Sequence, residues 1–413
     1  FTTLVVSNDR INSFTEWPSN TPYPTSSTSS IPIAPVSNSR TQKCEASCGS
    51  SRQKITSDGE EFRAQVADCV NNGNCLGSKM NCWDVSGVTN MNKVFMDLDS
   101  FNEPLGCWDV SQVTAMNFMF RSAEAFNHPI QKWDVCRVTS MSHMFDSASA
   151  FNQSINKWNV SKVRNMAQMF QQTNAFNQPI NEWNVSQVRT MVGMFKKAIV
   201  FDRPLASWDV SRVTNMAQMF ATGDGFNPKL PGKTMVFNQP LSAWNVSHVQ
   251  SMAAMFRGAY YFNQPLSNWA VSNVQSMANM FESVHSFDQP LDTWDVANVE
   301  TMAGMFRRCD NFNHILSSWN VRNVKNMESM FAYAVSFNQD LNSWNVGSVQ
   351  KMSAMFFGAT SFNQSLDTWA TKTPGNILVA SMFQGTSCAN KQNPNPSAGA
   401  WCQSVASYLR GSF

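Results

Sequence analysis

The chain reads as an α/β repeat fold. The expected architecture is a solenoid of about twelve 25-residue coils, each a short parallel β-strand plus a short helix, closed by disulfide-stapled caps. Three observations carry this. Twelve tryptophans recur at a step of 25 residues, broken by a single step of 36: Trp83, Trp108, Trp133, Trp158, Trp183, Trp208, Trp244, Trp269, Trp294, Trp319, Trp344 and Trp369. The apolar residues between them repeat in one order. The cysteines gather at the two ends of the array, with Cys44, Cys48, Cys69, Cys75, Cys82 and Cys107 in front and Cys388 and Cys402 behind. Such a period marks stacked units, each able to bury its apolar face only against its neighbours.

Residues 1–43 are rich in Ser, Thr and Pro. They cannot build a core and have the composition of a linker or an O-glycosylated stalk. The first six, FTTLVV, read instead as a strand in which Phe1, Leu4 and Val6 are candidate contacts for a neighbouring sheet edge.

Residues 44–82 form a Cys-rich cap with a helix over 57–71. Ser57 and Glu60 have the spacing of a capping box. Phe62, Val66, Cys69 and Val70 fall on one helical face, suited to covering the first coil.

The repeats occupy 83–387. In the unit from Phe262 to Phe281, Trp269 and Val271 alternate as a half-buried strand does. Val274, Met277, Met280 and Phe281 then form a helical stripe. Leu266-x-x-Trp269-x-Val271-x-x-Val274 matches the leucine-rich-repeat template with Trp in its second apolar slot. An insertion at 221–236 accounts for the long step. It reads either as a loop on a binding face or as a neutral duplication scar. Residues 388–413 are the C-terminal cap, where a Cys388–Cys402 bridge would stabilise by about 3 kcal/mol.

The units W-[DN]-V-S-x-V-x-x-M-x-x-M-F…F-[ND]-x-x-[LI] resemble the 25-residue repeats of BspA-like leucine-rich-repeat surface proteins. The likeness spans about residues 55–387. It implies a cell-surface or secreted location and a role in adhesion or interaction, with no catalytic residues to carry over.

Composition narrows the classes further. A formal net charge of +2 and 14% charged residues argue against a polybasic binder of nucleic acid or membrane surfaces. No run of 18 apolar residues predicts a membrane span. The start at Phe1, with neither a Met nor a basic-then-apolar leader, reads as a mature form. Cysteines clustered at both ends fit disulfides in an oxidising compartment. Zinc on Cys44, Cys48, Cys69 and Cys75 is the rival reading, with loose spacing and no His nearby. Cys136 and Cys309 stand several coils apart and cannot bridge each other.

Candidate sites are few. The residue after each Trp should point outward, which would stack Asp84, Asp109 and Asp134 as a calcium candidate or, alternatively, as a solvated Asp/Asn ladder. The Phe–Asn corners and the Met ladder read as structure. Asn152, Asn159, Asn184, Asn245 and Asn363 each begin an N-x-S sequon. Tyr260 and Tyr261 form an exposed-looking aromatic pair beside the insertion. The five His pair with neither metal ligands nor a nucleophile, and no enzyme is expected.

Two functions follow. One is a structural subunit of an extracellular fibre or coat, self-associating through the N-terminal tail. The other is a surface adhesin or binding module that engages glycans or host or cell-surface proteins along its strand face.

Overall fold

The computed structural model describes residues 44, 46–49, 52–222, 234–396 and 401–402. The strand-plus-helix solenoid is not what forms. Among the described residues the repeats contain no α-helix, and their β-pairing consists of isolated single-residue bridges with no sheet. Among the described residues helical structure is confined to the front of the chain: residues 44 and 46–48, helix α1 (Gly59–Asn72) and a short 3-10 turn at Met80–Cys82.

Each coil is a string of β-turns. In one, backbone N–H groups return to the carbonyl three residues earlier from Trp269 to Leu266, Val274 to Val271, Met280 to Met277, Val284 to Phe281 and Phe287 to Val284. All of these residues are buried. A β-turn brings residues i and i+3 within about 7 Å, so both ends of every turn can face one core. Asn279 (φ 56°) and Ser283 (φ 60°) are the third residues of two of these turns. A positive φ there defines the type II turn, which favours glycine. Gly304 and Gly358 supply it at equivalent places. Elsewhere the left-handed residue costs about 1–2 kcal/mol, offset by the bonds it positions.

Those bonds join coil to coil. Met277, Asn279, Phe281 and Ser283 donate their N–H groups to the carbonyls of Thr301, Ala303, Met305 and Arg307 at 3.0, 2.7, 2.9 and 2.7 Å. One parallel bridge per coil runs from Asn90↔Ala115 to Lys351↔Leu378. The inter-coil ladder therefore lies on the Met-x-x-Met-Phe segment, where a helix was expected. The Trp-x-Val segment, where a strand was expected, carries no bridge from coil to coil; its one bridge joins Asp84 of the first coil to Lys54 of the cap. The error has a physical origin. Tandem four-residue turns bury residues at i, i+3, i+4 and i+7, and so mimic the helical stripe.

Inside, rings stack in columns. Trp133 and Trp158 lie 6.4 Å apart, Phe145 and Phe170 5.8 Å, and Phe151 and Phe176 6.0 Å, with interplanar angles of 4°, 4° and 9°. The long step leaves this register intact. Trp208 and Trp244 are 6.4 Å apart, and Asn215 bridges Ser251. The additional residues fall between Thr222 and Thr234 in the sequence, just before Val236.

Both ends are closed. The N-cap of α1 is Asp58, whose side chain accepts the Gly59 N–H at 2.9 Å; Ser57, the expected cap, bonds Gln65 instead. Asp58 also accepts the Thr89 hydroxyl at 2.6 Å and the Asn90 N–H at 2.8 Å, which ties the helix to the first coil. Phe62 lies 6.4 Å from Trp83 and 5.6 Å from Trp108. Gly73 ends the helix at φ 76°. At the far end Trp401 meets Trp369 edge-on at 6.3 Å and bridges Leu366.

Candidate functional site

The front cysteines pair Cys44–Cys107, Cys48–Cys82 and Cys69–Cys75, and the rear pair is Cys388–Cys402. The four cysteines of the zinc alternative are all held in these bridges. Cys136 and Cys309 are free thiols.

The residue after each Trp acts locally. Asp84, Asp109 and Asp134 each accept, through Oδ1, the N–H two residues on, at 3.1, 3.0 and 3.1 Å. Asn159, Asn184, Asp209, Asn245, Asp295, Asn320 and Asn345 do the same. These are Asx turns. Burial works to raise the Asp84 carboxyl, but its hydrogen bonds to Ser86 and the nearby Arg52 and Lys54 outweigh it, and the group sits below its ordinary range. Among the described residues no group of three or more His, Cys, Asp or Glu could hold a metal ion, so the calcium candidate gains no support.

The Phe–Asn corner bonds between coils. Asn127 donates its N–H to Asn102 Oδ1, Asn152 to Asn127 and Asn177 to Asn152, at 3.0, 3.0 and 3.1 Å. The neighbouring glutamines reinforce it, as Gln178 Nε2 does on Asn152 Oδ1 at 2.9 Å. The methionines of the ladder, from Met116 and Met119 to Met352 and Met355, are fully buried in the core.

Three features remain. The first is a groove of about 410 Å³ lined by Asn273, Gln275, Asn298, Glu300, Asn323 and Lys325. Its three asparagines are pinned, each Nδ2 donating to a carbonyl one coil back: Ser247 at 2.6 Å, Ser272 at 2.8 Å and Ala297 at 2.7 Å. Lys325 Nζ and Glu300 pair across its floor at 2.9 Å. The second is a stripe of exposed apolar side chains on successive coils, Val200, Val236 and Tyr261. Tyr261 meets Tyr260 edge-on at 5.0 Å, and Tyr260 lies 4.6 Å from His285, whose Nδ1 is 2.6 Å from the Asp310 carboxylate.

The third is a pair of buried carboxylates that sequence reasoning missed. Asp146 is held by His143 at 2.9 Å and Arg121 at 3.7 Å. Glu282 is held by Arg257 at 2.7 Å and Arg307 at 3.7 Å. Their partners stand in adjacent coils or three residues away. The usable signal was an acidic residue directly after the buried Met-Phe pair, flanked by Arg one coil away. Asp146 also accepts the Ser147 hydroxyl and Gln171 Nε2, both at 3.1 Å. Phe1, Leu4 and Val6 lie outside the described residues, as do 223–233 of the insertion.

No helix among the described residues is long and apolar enough to cross a membrane. A comparison with curated proteins finds no match. The family model described as "Mycoplasma protein of unknown function, DUF285" matches four times in tandem, over residues 64–172, 153–235, 229–310 and 289–395.

Proposed function

We propose, given that this chain belongs to the DUF285 repeat family, that it is a non-enzymatic surface or secreted protein that binds glycans or cell-surface proteins along its polar flank. Four disulfides fit an oxidising location. The repeat's likeness to BspA-like surface proteins points the same way.

One observation supports binding most directly: the groove at Asn273, Asn298 and Asn323. Its exposed amides are fixed through Nδ2 by inter-coil bonds and form a preorganised polar row with Glu300 and Lys325 beside it. Preorganised polar groups bind with little ordering cost. The fibre-subunit reading depends on the segment Phe1–Val6, and nothing in the described residues favours it. Closed ends also disfavour coil-on-coil stacking between copies.

The test is binding of the purified full chain to a glycan array and to intact animal cells, compared with the N298A/E300A/K325A variant. Binding that falls at least tenfold in the variant supports the reading. Absence of binding on both surfaces, or binding the variant retains in full, overturns it.

A further inference from the structure

We infer that Asn159, Asn184 and Asn245 are N-glycan acceptors, whereas the other two sequons, at Asn152 and Asn363, stay bare. The inference rests on the secreted or surface reading above.

The five sequons are alike in sequence and fall into two structural classes. Asn159, Asn184 and Asn245 follow a buried Trp and are exposed. Each Oδ1 accepts the N–H of the sequon serine, at 3.2, 3.2 and 3.1 Å. At Asn184 the Ser186 hydroxyl also donates to Oδ1, at 2.7 Å. This Asx turn fixes the amide through its oxygen and leaves Nδ2 facing solvent. Asn152 and Asn363 belong to the Phe–Asn corner. Asn152 receives Asn177 N–H and Gln178 Nε2 on Oδ1 while donating its own N–H to Asn127. Asn363 donates to Asn338 and is half-buried, with its Oδ1 enclosed. A sugar on either amide would wedge between coils that are held together there.

The modification is a group transfer from a polyprenyl-pyrophosphate-linked oligosaccharide, the donor of the host secretory apparatus. A bond forms from Asn Nδ2 to the sugar C1. The bond from C1 to the pyrophosphate oxygen breaks, and the pyrophosphate leaves with its electron pair. One amide proton passes to a base.

The placement has a consequence for binding. The equivalent residues on the groove-bearing coils are Ala270, Asp295 and Asn320, and none begins a sequon. Sugars would thus stand over the coils of Trp158 to Trp244, none on the groove-bearing coils themselves, and the one on Asn245 would border the groove where Ser247 holds Asn273 at 2.6 Å.

The test is to secrete the full chain from eukaryotic cells, release its glycans with a peptide-N-glycosidase in heavy-oxygen water, and map the labelled positions by mass spectrometry. Label at Asn159, Asn184 and Asn245, with none at Asn152 and Asn363, is the expected result. Two gain-of-sequon variants sharpen it. Arg322→Ser makes a sequon of exposed Asn320 and should add one glycan, whereas Pro179→Ser makes one of Asn177 in the corner and should add none to the secreted protein. Label at Asn152 or Asn363, or none at the three exposed positions of a secreted chain, overturns the assignment alone. A chain retained in the cell overturns the secreted reading, and the assignment with it.

Discussion

Trp269 donates its indole N–H to the carbonyl of Leu241, one coil back, at 3.0 Å. The same bond recurs from Trp108 onto Met80 to Trp369 onto Leu341. The tryptophan is thus both core filler and inter-coil tie, which explains why no other apolar residue takes its place. Trp269→Phe keeps most of the ring and removes the donor. The Leu241 carbonyl keeps the Trp244 N–H at 3.0 Å and loses one of its two bonds, at a cost of about 0.5–1.5 kcal/mol. The urea midpoint should fall accordingly; an unchanged midpoint would show that the bond contributes nothing.

The corner ladder makes a similar prediction on a polar residue. Asn238 Oδ1 accepts Asn263 N–H at 2.9 Å and Gln264 Nε2 at 3.1 Å. Asn238→Ala should cost about 1–3 kcal/mol. Asn320→Ala, which removes only an exposed contact to its own turn at 3.4 Å, should stay within about 0.5 kcal/mol. Equal losses in urea unfolding would contradict the distinction drawn between the two asparagine classes.

Asp58 links stability to acid. Burial works to raise its carboxyl, but hydrogen bonds from the Thr89 hydroxyl and from the N–H groups of Asn90, Gly59 and Thr89 outweigh that and hold it below the usual range. A depressed carboxylate stabilises the fold fully above its unfolded pKa, near about 3.9, and loses that contribution as pH falls through the folded value. Asp58→Asn should therefore flatten the loss of stability below about pH 4. An acid-unfolding curve of unchanged steepness would contradict this. At neutral pH, Asp58→Ala should cost about 0.5–2 kcal/mol as a lost cap.

The bridges should differ in weight. Cys44–Cys107 closes 63 residues and Cys69–Cys75 closes 6. In the chain-entropy account these contribute about 4 and about 2 kcal/mol. Paired Ser substitutions should lower the melting temperature more for the first bridge. The reverse order would show that the account fails here.

Neither free thiol should be reactive in the folded chain. A hydrogen bond to Asp134 raises Cys136, and complete burial pushes Cys309 well above its ordinary value. Thiolate is the reactive form. Alkylation of Cys136 should accelerate in Asp134→Asn, and Cys309 should react only on unfolding. Rapid labelling of Cys309 in native protein would contradict its placement.

Much of this was legible in the chain and some was not. The 25-residue step located the recurring core positions of the coils, because a buried position shows itself by recurring. It did not reveal the backbone path. Met277, Met280, Phe281 and Val284 satisfy a helix and a pair of tandem turns equally, and the side chains that adopt positive φ (Asn279, Ser283, Arg308) bear no glycine signature. The corner asparagines were visible as turn residues, yet their partners lie one coil away, and a local reading assigns them to their own turn. The buried Asp146 and Glu282 escaped because their neutralising arginines are close only after coils stack. Of the candidate sites, the aspartates after Trp dissolve into Asx turns, and the groove at Asn273 was not foreseen.

Amide hydrogen exchange at single-residue resolution tests the turn-built ladder most directly. In the coil that begins at Trp269, strong protection is predicted at Met277, Asn279, Phe281 and Ser283, the alternate donors to the next coil, with Ala270 and Ser272 exchanging rapidly. Protection at Ala278, whose N–H would be bonded in a helix and has no bond in the turns, or protection at Ala270 and Ser272, as in a strand, would contradict it.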